Sequence, residues 1–511
     1  MYTPVGQRPA FVPNVRPARP KAVVIGAGFG GLAAAIRLGA RGFDVTVVDR
    51  LEQPGGRASL FAQDGFRFDA GPTIVTAPFL LEELWALCGR RLADDVTLKS
   101  MSPFYRILFS DGATFDYSGD AERMRAEVAK FSPRDVAGYE RFMARSAETC
   151  RIAFEELGHV PFNSVMDMAR VLPDLVRLES QRSVYSVVSK YIRDPRLRVV
   201  FSFHPLLVGA NPTTVTAVYS LIAHLERRWG VHYAMGGTNA LVQGMAKLIE
   251  GQGGTLRLNA QVEEIVVRDG AARGVRLATG ETLPASVVVS NAAASHTYGK
   301  LVDKSHRRTW TDRKLGRARH SMGLFVWYFG LNRQYPDVLH HTILLSERYR
   351  ELLTDIFTRK VLAKDFSLYL HRPSASDPSV APAGCDAFYV LSPVPNLDAA
   401  IDWSTAAEPY RQAIARHLDQ TLLPGFERSI VTSKIMTPLE FESRLLSPKG
   451  AGFDLEPALL QSAWFRPHNK SEDVENLFLV GAGTHPGAGI PGVLSSARVL
   501  DHVVPDARHF V

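Results

Sequence analysis

The chain has very little cysteine: three in 511 residues, Cys88, Cys150 and Cys385, widely spaced and without a CxxC pair. That pattern excludes a disulfide-stapled scaffold, argues against a zinc or thiol–disulfide centre, and fits a reducing cytosolic compartment. Long apolar runs are missing as well. No stretch reaches 18 consecutive apolar residues, so no membrane-spanning helix is expected. The longest uncharged stretch, Val199 to Leu225, is interrupted by Pro205, Gly209 and Asn211-Pro212, which suits the wall of an apolar cavity. Charge of one sign is also scarce. Of a net +7, four positive charges (Arg8, Arg16, Arg19, Lys21) fall in the first 21 residues with no acid among them. The +3 left for the remainder is too weak for a nucleic-acid surface, and no nucleic-acid partner is expected. The opening stretch, with five prolines, lacks the apolar core of a signal peptide. It is expected to be a flexible tail, 1–20.

What is present is a core. Apolar residues make up 46%, charged residues 22% and aromatics 9%, the mix of a folded globular protein; roughly 150 residues per domain suggests about three units. Lys21 to Ile25 reads as a buried strand, Leu32 to Leu38 as a helix stopped by Gly42, and Phe43 to Val48 as a second strand, one βαβ unit over 21–50. In 165–176 the apolar residues recur at 165, 168, 169, 172, 175 and 176, one helical face, with Pro173 predicting a kink or two short helices. Pro212 to Trp229 and Thr238 to Glu250 are further helix candidates. Alternation then predicts strands over 255–259, 262–268, 274–278 and 287–290, with a turn at Asp269-Gly270. Residues 300–440 show mixed elements without a signature. The end returns to strand, glycines and helix: 477–480, Gly481 to Gly492, then Val493 to Leu500.

Two glycine turns carry the chemistry. Gly26-x-Gly28-x-x-Gly31 lies between strand and helix, with Asp49 closing the second strand. Gly26 permits the tight turn, Gly28 lets a pyrophosphate approach the backbone, and Gly31 lets the helix pack on the strand. The helix N-terminus offers free N–H groups to phosphates, and Asp49 accepts from a ribose hydroxyl. Arg50, next to Asp49, hints at a phosphorylated nicotinamide nucleotide, but such a site leaves the second turn, Gly481 to Gly492, unexplained. That second turn at a second helix start suits the other end of one dinucleotide, where the helix dipole stabilises developing negative charge.

Pro54-Gly55-Gly56-Arg57 adds a motif that a nicotinamide enzyme does not need. It resembles the flavoprotein superfamily of amine oxidases and polyene desaturases, in which this arginine neighbours the flavin diphosphate. Phe66-Arg-Phe-Asp69-Ala-Gly71-Pro72-Thr73 resembles that superfamily's next element, beside the flavin ring. Gly481-Ala-Gly483-Thr484-His485-Pro486 through Gly492-Val493 resembles the signature of bacterial-type carotenoid desaturases. Ser202-Phe-His-Pro205, Val231 to Gly237, Ser321 to Gly330 and Gln461 to His468 extend the resemblance to the phytoene desaturases of purple phototrophic bacteria, over nearly the whole chain after residue 20.

The resemblance implies an α/β protein: a Rossmann-like FAD-binding domain from 21–95, 231–300 and 441–511, and a mixed-sheet and helical substrate domain from 96–230 and 301–440, with a helical membrane-facing region. It implies FAD contacts from Gly26, Gly28, Gly31, Asp49, Arg50, Gly56, Arg57, Gly71, Pro72, Val262 (through its backbone), Gly483, Gly492 and Val493. Many relatives carry Glu where Asp49 stands. The implied reaction is stepwise desaturation of phytoene, a long polyene hydrocarbon, to neurosporene, lycopene or both, with quinone or oxygen as electron acceptor. The enzyme is expected in the cytoplasm, on the membrane surface without crossing it, with 160–178 and 199–225 as mouth and wall of the substrate tunnel. His204, His232 and His485 stand in family-like motifs, but no catalytic residue is singled out, and no metal is expected. The alternatives are a related carotenoid flavoenzyme (a hydroxy- or methoxy-carotenoid desaturase or an isomerase) and a flavin-free prenyl-lipid escort.

Overall fold

Short β-branched runs bounded by glycine are too apolar to leave either face in water, so they pair inside parallel sheets. Five do so here. Leu477–Leu479, Val287–Ser290, Lys21–Ile25, Asp44–Val48 and Thr255–Arg257 lie in that order, all parallel, in a computed structural model that describes residues 19–510. The expected tail lies, apart from Arg19 and Pro20, outside the described residues. Helix Phe29–Ala40 follows the central strand and is buried along most of its length. It packs against helices Ile490–Val503 and Thr238–Gly251. A second, three-stranded sheet of Val262–Arg268, Ala271–Leu277 and Thr282–Pro284 is antiparallel. Its first turn is the expected Asp269-Gly270, both at positive φ (52° and 76°), as a tight hairpin requires.

The stretch without a signature supplies five strands of a seven-stranded mixed sheet. Its order is Ile430–Met436, Gly323–Leu331, Asp386–Val394, Leu368–His371, His341–Leu344, Tyr105–Leu108 and Thr114–Tyr117. Within it His341–Leu344 and Tyr105–Leu108 run parallel. Side chains alternate across a strand, and Gly323–Leu331 uses both faces. Phe325, Trp327 and Phe329 pack with Trp403 and Ile414 of helix Trp403–Thr421, while Leu324 and Val326 turn to a cavity on the other side.

Two helix expectations are corrected. Val165–Arg177 is one continuous helix through Pro173. A capping box between Ser164 and Asp167 fixes its start, and Pro173 is exposed, so the one backbone bond it forfeits lies on the solvent side. The helix expected from Pro212 begins only at Leu221, after a 3-10 turn at Ala217–Ser220. Asn211 Oδ1 takes the Thr213 N–H at 2.9 Å and the Thr213 hydroxyl at 2.8 Å, and this local turn competes with helix. Nor does 165–176 present a single apolar face. Met168, Val171 and Leu175 line the cavity, whereas Val165, Met166, Leu172 and Val176 point outward, 66%, 62%, 54% and 64% exposed. Among the described residues, no helix is long and apolar enough to cross a membrane.

Candidate functional site

Ligands of parallel sheets bind beyond the carboxyl ends of the strands. Three strand ends meet there: Lys21–Ile25 runs into Gly26, Val287–Ser290 into Asn291, and Leu477–Leu479 into Gly481. The glycine turns converge. A Cβ on Gly30 would stand 3.1 Å from Gly481 Cα and 2.6 Å from Asn291 Oδ1. A Cβ on Gly31 would lie 1.9 Å from the Gly26 carbonyl oxygen, so the helix can start this close to the strand only with glycine there. Helices Phe29–Ala40 and Ile490–Val503 both begin on glycine, with no side-chain cap and no acid in the first turn. Their first N–H groups and positive dipole ends therefore remain free for an anion.

Around these turns lies a cavity of about 610 Å³. Eleven of the thirteen expected site residues line it: Gly26, Gly28, Asp49, Arg50, Gly56, Arg57, Gly71, Pro72, Val262, Gly492 and Val493. Gly31 stands behind the wall, in its packing role. Gly483 is also not in the lining; its α-carbon faces Asp454 and Ala294, so the second turn meets the cavity through Gly481, Ala482 and 485–493 instead.

Asp49 is buried, and its carboxylate accepts the Ala27 N–H at 2.7 Å and the Leu51 N–H at 2.8 Å. Burial pushes its pKa up against those two bonds. A carboxylate has about four acceptor positions, so two remain for a ribose. Arg50 donates to the carbonyls of Ser443 and Arg444 at 2.8 and 2.9 Å. Arg57 donates Nη2 to Ser447 Oγ at 2.7 Å, while its buried Nε has no partner among the described residues. Burial lowers the Arg57 pKa, with Asp454 opposing. A dinucleotide diphosphate fits this set: glycine backbone that a Cβ would block, two uncapped helix starts, and a buried guanidinium with an unused donor.

Beyond Gly71 the wall becomes apolar. Leu206, Leu207, Ile222 and Leu225 enter from the predicted 199–225 stretch, and Met168 and Leu175 from the helix before it. His485 is buried, with Nε2 3.1 Å from the Leu157 carbonyl, and desolvation lowers its pKa to about 4. His204 lies buried with Nε2 3.4 Å from Glu226 Oε2, and the half-buried His232 is lowered by desolvation. Several lining residues were not anticipated. Asn291 could have been found from its place just after a buried parallel strand. Tyr369 and Tyr389 carry no local signal. They reach the cavity only because the seven-stranded sheet presents them beside Thr73, whose Oγ1 lies 2.8 Å from the Tyr369 hydroxyl and 3.3 Å from that of Tyr389.

Comparison with known proteins adds four findings. Residues 29–499 match the family described as flavin containing amine oxidoreductase. The chain is 52% identical to a phytoene desaturase (neurosporene-forming) of Cereibacter sphaeroides, over 97% of each chain. It is 50% identical to a phytoene desaturase (lycopene-forming) of Pseudescherichia vulneris, over 94% of this chain and 97% of that one. Among solved structures, a cofactor-binding variant of putrescine oxidase superposes with a TM-score of 0.66 at 13% identity, covering 96% of this chain and 98% of that one, which speaks for the fold alone.

Proposed function

This chain belongs to the flavin containing amine oxidoreductase family, and from that premise we propose that it is an FAD-dependent oxidoreductase that desaturates 15-cis-phytoene stepwise to neurosporene, lycopene or both in carotenoid biosynthesis. The observation that carries the reading is the cavity's division into a backbone-lined anion end and a long apolar end. FAD, when bound, supplies the hydride acceptor and passes electrons on to quinone or oxygen. Gly26, Gly28 and the start of helix Phe29–Ala40 hold its diphosphate, with Gly56 and Arg57 on the same side. Asp49 would take the ribose, Val262 would contact the adenine through its backbone, Gly71 and Pro72 would stand beside the ring, and Gly492-Val493 would bring a second helix dipole to it. The FAD-binding part comprises 21–95, 231–300 and 441–511, and the substrate part 96–230 and 301–440.

The substrate has no polar group, so affinity comes from burying hydrocarbon, about 0.8 kcal/mol per CH₂. The apolar wall also excludes water, which protects an allylic cation from capture. A bilayer offers hydrocarbon the same environment, so transfer into the cavity is close to neutral only if the mouth opens on lipid. Helix Val165–Arg177 meets that need, lining the cavity with one side and presenting Val165, Met166, Leu172 and Val176 outward. Leu460 and Phe465, 71% and 38% exposed, lie nearby. We assign this patch to the membrane surface. The test is FAD-loaded protein incubated with phytoene in liposomes and a quinone, with products separated by polyene absorbance. Longer conjugated polyenes are expected; unchanged phytoene with flavin and acceptor present overturns the assignment.

A further inference from the structure

Each desaturation removes a hydride and a proton from neighbouring carbons, and the proton must cross an apolar wall. In that wall, with Gly71 and Thr73, stands Tyr369. Its hydroxyl is 2.6 Å from His341 Nδ1 and 2.8 Å from Thr73 Oγ1. The Nε2 of His341 is buried and has no partner among the described residues. Next to it His371 and His340 hold each other, Nε2 to Nε2, at 3.1 Å, and His340 Nδ1 reaches Ser376 Oγ at 2.8 Å. Ser376 is half-buried, with Lys99 donating to its carbonyl. This is a file of hydrogen-bonding groups from cavity wall to surface with one open step, between His341 and the His371–His340 pair.

Resting on the desaturase reading, we propose that Tyr369 accepts the substrate proton and that His341, His371, His340 and Ser376 carry it out of the cavity. After the hydride has left, the C–H bond on the adjacent carbon breaks and its electron pair becomes the new C=C bond. The proton goes to the Tyr369 oxygen as the hydroxyl's own proton moves to His341 Nδ1. His341 gives up its Nε2 proton to the His371–His340 pair, and a ring flip restores it for the next round. Tyr369 is the catalytic residue of this step; the histidines act through it. Desolvation holds all three imidazoles well below their ordinary pKa, so they pass a proton on and do not store it.

The donor nitrogens of the three histidines lie within 4.8 Å of one another, which also invites a metal ion. Geometry and charge argue otherwise. The His341 and His371 rings are nearly parallel, 16° apart with centroids at 5.3 Å, so their in-plane lone pairs do not aim at one point. Lys99 and Arg372 impose a positive field at His340, which Asp377 opposes.

The test is anaerobic mixing of FAD-loaded protein with phytoene liposomes in H₂O and D₂O, following the appearance of the longer conjugated polyene by its absorbance. Tyr369→Phe and His341→Gln are each expected to slow polyene formation about a hundredfold, within the usual range for general acid–base groups. FAD content and phytoene co-sedimentation should stay at wild-type values. The wild-type rate should fall in D₂O, and that of Tyr369→Phe should not. A low-field proton resonance from the 2.6 Å pair should vanish in both variants. Wild-type polyene formation by Tyr369→Phe, loss of FAD or phytoene binding in both variants, or a stoichiometric metal ion in the purified protein overturns the relay. Wild-type protein that forms no longer polyene at all overturns the desaturase reading instead.

Discussion

At one end of the cavity the wall is backbone: Gly26, Gly28 and Gly481 leave empty space, and the uncapped starts of helices Phe29–Ala40 and Ile490–Val503 lie beside it. At the other end it is side chain, with Leu175, Ile222, Leu324 and Tyr369 arriving from four separate elements. The first end is rigid because a Cβ has nowhere to go; the second is an apolar surface whose individual members can be exchanged for others of similar volume. One mutation should therefore destroy the first end, while the second should degrade by steps.

The sharpest test of that contrast is Gly31→Ala. Its Cβ would fall 1.9 Å from the Gly26 carbonyl oxygen, well inside contact distance, and the contact is with backbone that cannot rotate away. The helix must shift off the strand, and the phosphate turn with it. Purified Gly31→Ala should carry less than about a tenth of the wild-type flavin, read as the ratio of 450 nm to 280 nm absorbance, since clashes of this kind cost roughly 1–3 kcal/mol or more. Normal flavin content would contradict the backbone account of this end.

Leu175→Asn probes the opposite end. The asparagine amide would be brought against hydrocarbon without a partner, a cost of about 2 kcal/mol, equivalent to roughly 30-fold weaker polyene binding. Flavin content should not change. A KM effect with kcat and flavin preserved is the expected signature, and a loss of flavin would mean that the two ends are not separable.

The difference between the ends also decides what could be read in advance. The nucleotide end is coded locally: strand, glycines, helix and acid lie within about thirty residues, a span over which periodicity and turn chemistry are reliable guides. Eleven of the thirteen expected residues reach the cavity, and Gly483 misses it only because the turn rotates its α-carbon toward Asp454. The hydrocarbon end depends on pairing between distant strands. Nothing near Tyr369 indicates that Leu368–His371 will lie between Asp386–Val394 and His341–Leu344, so neither the tyrosine nor the histidines behind it could be anticipated. The 199–225 stretch was legible as cavity wall because its lack of charge is a property of composition and needs no knowledge of register.

Asp69 sits where the two ends join, at the close of strand Phe66–Asp69 that leads into Gly71 and Thr73. It is buried, its Oδ1 has no partner among the described residues, and desolvation raises its pKa to about 7 despite N–H groups from Thr238 and Asn239. The folded state thus keeps its proton up to about pH 7, while the unfolded chain releases it near 3.8. Stability is highest below the unfolded value and declines as pH rises toward 7, where the whole penalty of the buried charge is present. Asp69→Asn should flatten the dependence of Tm on pH between 4 and 7 and raise Tm by a few degrees above pH 7, an effect on the order of 1–2 kcal/mol. An unchanged slope would place the titration elsewhere.

The smallest expected effect concerns the outside of the hydrocarbon end. Leu172 is 54% exposed, so insertion into lipid would remove only about half a leucine side chain from water, worth about 1 kcal/mol. Leu172→Ser should therefore weaken partitioning onto liposomes about fivefold. Because the residue makes little contact within the protein, its melting temperature and flavin content should stay at the wild-type values. Leu175→Asn, three residues further on the same helix but facing inward, should leave partitioning intact while weakening substrate binding. A helix that divides its apolar residues between lipid and cavity predicts that the two variants fail different assays. If Leu172→Ser partitions like wild type, the outward patch serves something other than a bilayer, and the cavity's mouth must be sought elsewhere.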